Sequence, residues 1–371
     1  MPGIGIGIGL NRLRLVGGSI DSPTNLTASF DIPSISGQVS WVDNSGGTAQ
    51  YEIYSSYNGN PYVFLGTTLA GATSYIDTTC KQNASVVYRI RAKKGGTRSE
   101  YATTSAINTP LCFKTDQSTL TAVVINALNI AAGKTVTVNW GDGTNNNYTG
   151  TNTNIVKNYS TTGQFNISMS GDLNNISVFQ HYNQSKSYGS ISNWIFYPSG
   201  SYTIYNNALT GNISQYDLSR VGSGYLLYNN TELTGDLTNN NIKNTCVNFR
   251  LYGTKIYGKA PNLLSGSSTL VTYQLQSCYL SGTNITNFGT PLTNLDLSGQ
   301  KVLFPTSEVD KFFKAAADWY QVNTPTANCT FNLSGANMGI PTGGASNVDI
   351  VRLIGYYTAA GFAATIICRT S

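Results

Sequence analysis

The residues that could do chemistry in this chain are few. A single histidine, His181, must serve any imidazole-based mechanism. It lies in the polar run 180–187, and no Gly-x-Ser-x-Gly elbow supplies a serine for it to activate. Glycoside hydrolysis needs two carboxylates about 5–9 Å apart. Asp217, Glu232, Asp236 and Asp296 are available for that role, but their spacing marks no pair. The six cysteines (Cys80, Cys112, Cys246, Cys278, Cys329 and Cys368) contain no C-x-x-C pair, which argues against structural zinc. Cys329 and Cys368 suit a disulfide between neighbouring C-terminal strands; buried free thiols are the equal alternative. Asp142 with Asn145 and Asn146 offers oxygens to calcium, yet one carboxylate is a poor site for an ion that wants six to eight, so a structural turn is preferred. The expectation is no catalytic residue, no metal and no cofactor.

Binding is the chemistry these residue types favour. Tyr205, Asn206 and Asn207 are followed by Tyr228, Asn229 and Asn230, and then by Tyr252 and Lys255. Stacked at one strand spacing of about 4.8 Å, they form a ladder of aromatic and amide groups. Tyrosine faces can stack on sugar rings and amides can bond hydroxyls, so a glycan is the indicated ligand. The structural alternative is that these tyrosines cover core and the asparagines satisfy backbone.

The elements that must position this ladder are repeats. The units Tyr202-x-Ile204…Leu209-Thr-Gly211, Tyr225-x-Leu227…Leu233-Thr-Gly235, Phe249-x-Leu251…Ile256-Tyr-Gly258 and Tyr273-x-Leu275…Leu280-Ser-Gly282 place their glycines 24, 23 and 24 residues apart. A fifth unit begins at Leu295, and a degenerate earlier one surrounds residues 179–189. A period of 20–29 with a short apolar-x-apolar strand predicts a solenoid over residues 172–300. It resembles the irregular leucine-rich repeats of bacterial surface proteins.

Ahead of the repeats, residues 22–110 read as short strands between turn clusters. Val39-Ser-Trp41, Tyr51-Glu-Ile53, Tyr75-x-Asp77, Tyr88-x-Ile90-x-Ala92 and the closing Thr109-Pro110 resemble a fibronectin type III domain. Residues 111–171 carry Val136-Thr-Val138-Asn-Trp140-Gly-Asp-Gly143, then Tyr159 and Gly163-x-Phe165, and resemble a PKD-like sandwich. Residues 301–371 predict helix, strand, helix, strand as an α/β cap. The first helix opens at Ser307 with Asp310 and buries Val309, Phe312, Phe313, Ala316 and Tyr320; the second opens at Ser346 with Asp349. The fold class is therefore mainly β: two Ig-like sandwiches, a solenoid and a cap.

Charged residues are only 11% of the chain, against about 25% in an average domain, so the surface is built from Asn, Thr, Ser, Gly and Tyr. The net charge is +5 and the basic residues are scattered; the densest group is Arg89, Arg91, Lys93, Lys94 and Arg98. A nucleic-acid partner would need a clustered basic face, and alternate residues of a solvated strand explain this group as well. No stretch approaches a membrane span.

The first residues alternate Gly3, Ile4, Gly5, Ile6, Gly7 and Ile8, a strand period that needs a partner surface. Residues 1–21 are accordingly read as an anchoring segment, without the n-region and h-region of a secretory signal. Together these features resemble tail-fibre and appendage proteins of gut Bacteroidales phages, including crAss-like phages. That resemblance implies a virion structural protein assembled in the host cytoplasm. It would be anchored to other virion proteins by its start, homo-oligomeric, and attached to a host receptor, with polysaccharide as one candidate. A bacterial surface adhesin and a capsular polysaccharide depolymerase are the alternatives.

Overall fold

The computed structural model describes residues 19–119, 122–264 and 269–369. The Gly3–Ile8 alternation expected to anchor the protein lies outside the described residues. The chain divides into two compact units, one running to Cys80 and resuming over Ser85–Asn108, the other comprising Lys81–Ala84 and everything from Thr109 onward.

The first unit is a β-sandwich. One sheet orders Thr24–Asp31, Ser36–Val42 and Ser74–Asp77, all antiparallel. The other centres on Gln50–Tyr57 and Ser85–Lys94, with Val63–Thr67 on one side and the short strands Thr97–Arg98, Ala102–Thr103 and Ile107–Asn108 on the other. Alternation along Ser85–Lys94 buries Val86, Tyr88, Ile90 and Ala92, as a half-buried strand should. Trp41 and Tyr51 meet in this core with ring centroids 5.1 Å apart. The Tyr88 hydroxyl donates to Asp77 at 2.9 Å, and a side chain at Gly37 would overlap that phenol.

The second unit contains two long sheets that share one core. Its first strands are antiparallel: Leu111–Asp116, Val123–Ile130, Val136–Asn139, Asn145–Tyr148, Thr151–Lys157 and Gln164–Gly171. They divide between a nine-stranded and a ten-stranded sheet, and each sheet then continues in parallel as a β-solenoid. The ten-stranded sheet adds Ile176–Gln180, Ser201–Thr203, Gly224–Leu226, Asn248–Arg250, Thr272–Gln274 and Asn294–Asp296. The nine-stranded sheet adds Ser187–Ser190, Ala208–Asn212, Glu232–Asp236, Lys255–Ala260 and Tyr279–Thr283.

The repeat spacing brings Tyr202, Tyr225, Phe249, Tyr273 and Leu295 into one register inside the solenoid. The four aromatic rings follow one another at 5.5–5.7 Å. Leu209, Leu233, Ile256 and Leu280 close the core from the opposite sheet. The hydrophobic core runs without a break from Leu111 to Tyr357, so residues 111–171 and the repeats are packed as one body.

The end of the chain forms the expected cap. Helix α1 (Thr306–Val322) buries Val309, Phe312, Phe313, Ala316 and Tyr320. Helix α2 (Val348–Ala359) alternates with strands Cys329–Leu333 and Ala364–Cys368, which finish the ten-stranded sheet. Both helix starts differ from the expected capping boxes. Pro305 precedes α1, and Asp310 turns instead to the Thr342 amide at 2.8 Å. At α2 the cap is Asn347, one residue later than expected, whose side-chain oxygen accepts from the Asp349 and Ile350 amides. No helix among the described residues is long and apolar enough to cross a membrane.

Candidate binding face of the solenoid

At the turn after each of the six strands of the ten-stranded sheet from Ile176–Gln180 to Asn294–Asp296, the chain passes through a left-handed residue. Asn183, Asn206, Asn229, Gly253, Ser277 and Gly299 all have φ between 53° and 67°. Asn and Gly suit this conformation best, because a short polar side chain or none avoids the carbonyl clash. Each turn bonds to the next: the Asn206 amide donates to the Tyr228 carbonyl at 3.3 Å and the Asn229 amide to the Tyr252 carbonyl at 2.9 Å. The side chains repeat the pattern. Asn206 Nδ2 donates to Asn183 Oδ1 at 2.7 Å, and Asn229 Nδ2 to Asn206 Oδ1 at 2.9 Å. The amide ladder stops at Gly253, where a Cβ would fall 2.6 Å from Asn229 Oδ1.

The residue before each left-handed turn carries the aromatic ladder. Tyr182, Tyr205, Tyr228 and Tyr252 stack face to face, with centroids 4.7, 4.2 and 4.4 Å apart and planes within 14°. Stacking changes what they can do. Interior ring faces cover one another, so the row presents edges and hydroxyls rather than flat platforms for sugar rings. Burial raises the phenols of Tyr228 and Tyr252, which stay protonated as hydrogen-bond donors.

The residue after each turn points inward. Asn207 Nδ2 donates to the His181 carbonyl at 2.8 Å, and its oxygen accepts from the Gln184 amide at 2.8 Å. Asn230 Nδ2 donates to the carbonyls of Ile204 and Leu227, both at 2.8 Å. Both side chains are buried, so the solvent-facing ladder contains Tyr205, Asn206, Tyr228, Asn229 and Tyr252 but not Asn207 or Asn230. Lys255 lies on the other sheet and pairs with Glu232 at 2.6 Å. The structure adds Tyr182 and Asn183 as the first rung. The Tyr-Asn pair, repeated at 182, 205 and 228, is the sequence signal for it.

The other candidates are used internally. His181 is sealed between Phe113 and Phe179. Its Nδ1 lies 2.9 Å from the Val124 carbonyl and its Nε2 2.9 Å from the Ser187 hydroxyl. The carbonyl can only accept, so Nδ1 carries the proton and Nε2 accepts from Ser187. Burial pushes the imidazole down to about 4. Asp142 forms a 2.6 Å ion pair with Lys157 and accepts from the Thr144 amide at 3.0 Å. Burial alone would raise its carboxyl, but the bonds from Lys157 and Thr144 outweigh that and lower it. The Trp140-Gly-Asp-Gly segment is thus a locked turn, with Tyr159 donating to the Trp140 carbonyl at 2.8 Å.

Asp296 lies on the ten-stranded sheet, whereas Glu232 and Asp236 end one strand of the nine-stranded sheet, about 13 Å apart at the usual rise per residue. Asp217 caps a short 3-10 turn by accepting from Ser219. These four carboxylates thus lie on three separate elements, and Glu232 and Asp236 share one strand. In the first unit, buried Glu52 collects Arg91 at 2.7 Å, Arg98 at 3.1 Å and Lys93 at 3.3 Å. Hydrogen bonds from Arg98, and then from Arg91 and Lys93, hold its carboxyl down at about 2. Glu52 thus pairs three of the five cations in the densest basic group of the sequence. Cys329 pairs in register with Ala364 and Cys368 with Leu333, so these two thiols sit at opposite ends of adjacent strands and are not bridged.

The fold defines a class: a mainly β protein that joins a β-sandwich to a β-solenoid with C-terminal helices. Among solved structures, the chain is similar to a fibronectin-III-like protein from Clostridium thermocellum (23% identity, 25% of this chain and 97% of that one, TM-score 0.22). It is also similar to a two-domain fibronectin type III segment of chicken tenascin (13% identity, 41% and 91%, TM-score 0.22). A third is pectate lyase Pel3 from Pectobacterium carotovorum (10% identity, 74% and 78%, TM-score 0.19). No family model and no curated protein matches the chain.

Proposed function

We propose that this protein is a non-catalytic attachment component of a virion fibre or appendage, whose solenoid presents the Tyr-Asn ladder face to a host surface receptor. The observation that carries this reading is the ladder itself: four stacked tyrosines and three linked asparagines in an open row on one edge of the solenoid. The carboxylates and the histidine that could have supported hydrolysis are engaged in ion pairs, turns or core, which favours binding over chemistry.

The finer identities belong to the same reading: leucine-rich-repeat-like turns for the solenoid and a PKD-like module for residues 111–171. Six cysteines without a disulfide support assembly in a reducing cytoplasm, and they favour the virion reading over a secreted adhesin. The test is to follow the protein by immunoblot through purification of particles from a producing culture. Co-purification with particles is the expected result. Recovery only with the cell envelope would select the bacterial adhesin, and new reducing ends in capsular polysaccharide treated with the pure protein would select the depolymerase.

A further inference from the structure

We propose that the outward face of the ten-stranded sheet binds a carboxylate-bearing glycan, with the Arg250 guanidinium as its anion anchor. This rests on the attachment reading above and names the class of ligand that the face takes.

The second outward position of successive strands carries Thr203, Leu226, Arg250, Gln274 and Asp296 in register. Arg250 is half-buried, and its Nε is buried without a hydrogen-bond partner. Every other arginine among the described residues is engaged. Arg91 and Arg98 bond Glu52, and Arg352 bonds Asp318 and Asp349. Arg89 lies 4.2 Å over the Tyr62 and Tyr101 rings, Arg220 lies over Tyr197, and Arg369 donates to the Ala336 carbonyl. Arg89 shares the buried, unbonded Nε but is covered by two rings, whereas Arg250 on the outward face has its Nε shielded and neither an ion pair nor a ring over it. A guanidinium placed this way is matched best by a bidentate carboxylate.

A second unmet group lies one rung beyond Tyr252. Gln276 accepts the Gly253 amide through its backbone carbonyl, while its side-chain Oε1 is buried without a donor. On the outer side of that rung the protonated Tyr228 and Tyr252 hydroxyls supply hydrogen-bond donors to a ligand. The row suits a glycan better than an acidic peptide. A peptide would call for an open strand edge or apolar pockets, whereas this face is lined by hydroxyls, amides and one aliphatic side chain, Leu226. Asp296, two strands beyond Arg250, repels a second carboxylate on that side. The ligand therefore extends from Arg250 towards Leu226.

The test is affinity electrophoresis of the full chain through gels containing alginate, a uronic-acid polymer, or neutral dextran, with poly-glutamate as a soluble competitor. The expected result is retardation by alginate only, weakened at high salt and reduced at least about tenfold by Arg250→Gln. Gln276→Ala should lower it less, and Lys314→Gln on α1 should leave it unchanged. Thermal melts of each variant separate lost binding from lost fold, and Arg250→Lys, which keeps the charge without the fork, should retain partial retardation. Unchanged alginate binding by a folded Arg250→Gln overturns the anchor, and so does the absence of alginate binding by the unaltered chain. Retardation by dextran overturns the acidic ligand but leaves attachment through this face standing. Poly-glutamate competing as well as free alginate overturns the glycan in favour of an acidic peptide.

Discussion

His181 shows how much of this chain's titration behaviour belongs to folding. Its neutral form donates to the Val124 carbonyl and accepts from Ser187, and protonation would place a positive charge inside an apolar shell. The folded imidazole titrates near 4, whereas an unfolded one titrates near about 6.5. Between these values the unfolded chain binds a proton that the native chain refuses. Stability is therefore complete above about pH 6.5 and declines as the pH falls towards about 4, by roughly 3 kcal/mol in all. Denaturant melts of the second unit should show that slope, and His181→Gln should flatten it between about pH 6.5 and 4.5. A variant with the unaltered slope would assign the pH dependence elsewhere. Gly37 makes a second case at this scale, because a methyl group there collides with the Tyr88 phenol that bonds Asp77. Gly37→Ala should destabilise the first unit by about 1–3 kcal/mol in a calorimetric melt.

The repeating element of the solenoid is a strand followed by a tyrosine, a left-handed residue and an inward polar residue. Its three turn positions predict three different mutational responses. Asn206→Ala breaks two amide links and forces a Cβ-bearing, non-bonding residue into φ near 53°, so a loss of about 1–2 kcal/mol is expected. Asn206→Gly keeps the backbone relaxed and should lose less. Asn230→Leu strands two buried carbonyls and should lose about 2–3 kcal/mol or more. Equal effects of Asn206→Ala and Asn230→Leu in urea titrations would contradict the inward and outward assignment.

This element is also where sequence legibility ends. The period, the buried alternation of each unit (Tyr202 with Ile204, Tyr225 with Leu227) and the Tyr-Asn row are all readable from spacing. The direction of Asn207 and Asn230 is not, because one residue of left-handed backbone reverses which neighbour faces the core. The mutual stacking of the tyrosines is equally hidden, since it depends on the rotamers that the 4.2–4.7 Å ring spacing selects. Arg250 carries no sequence signal, because an unmet guanidinium is defined by the partners it lacks in space.

At the scale of the molecule, the second unit is one core spread over many turns. Residues 111–171 share both sheets with the solenoid, and Leu128 and Asn129 pair with Phe179 and Val178 of the strand that follows. Trp140 to Phe165 reads as a free-standing module because its turn chemistry is local, whereas its dependence on the repeats lies in long-range strand pairing. A fragment of residues 111–171 should show poor amide dispersion by NMR, because two long sheet edges are left open. A fragment from 109 to 371 should fold. A well-dispersed spectrum from the short fragment would establish an independent domain.

Attachment through the outward face of the solenoid is tested by saturable binding of the purified full chain to the surface of its target cells, compared with a Leu226→Glu, Gln274→Glu variant that melts normally. Loss of cell binding by that variant is the predicted result; undiminished, saturable binding would contradict it.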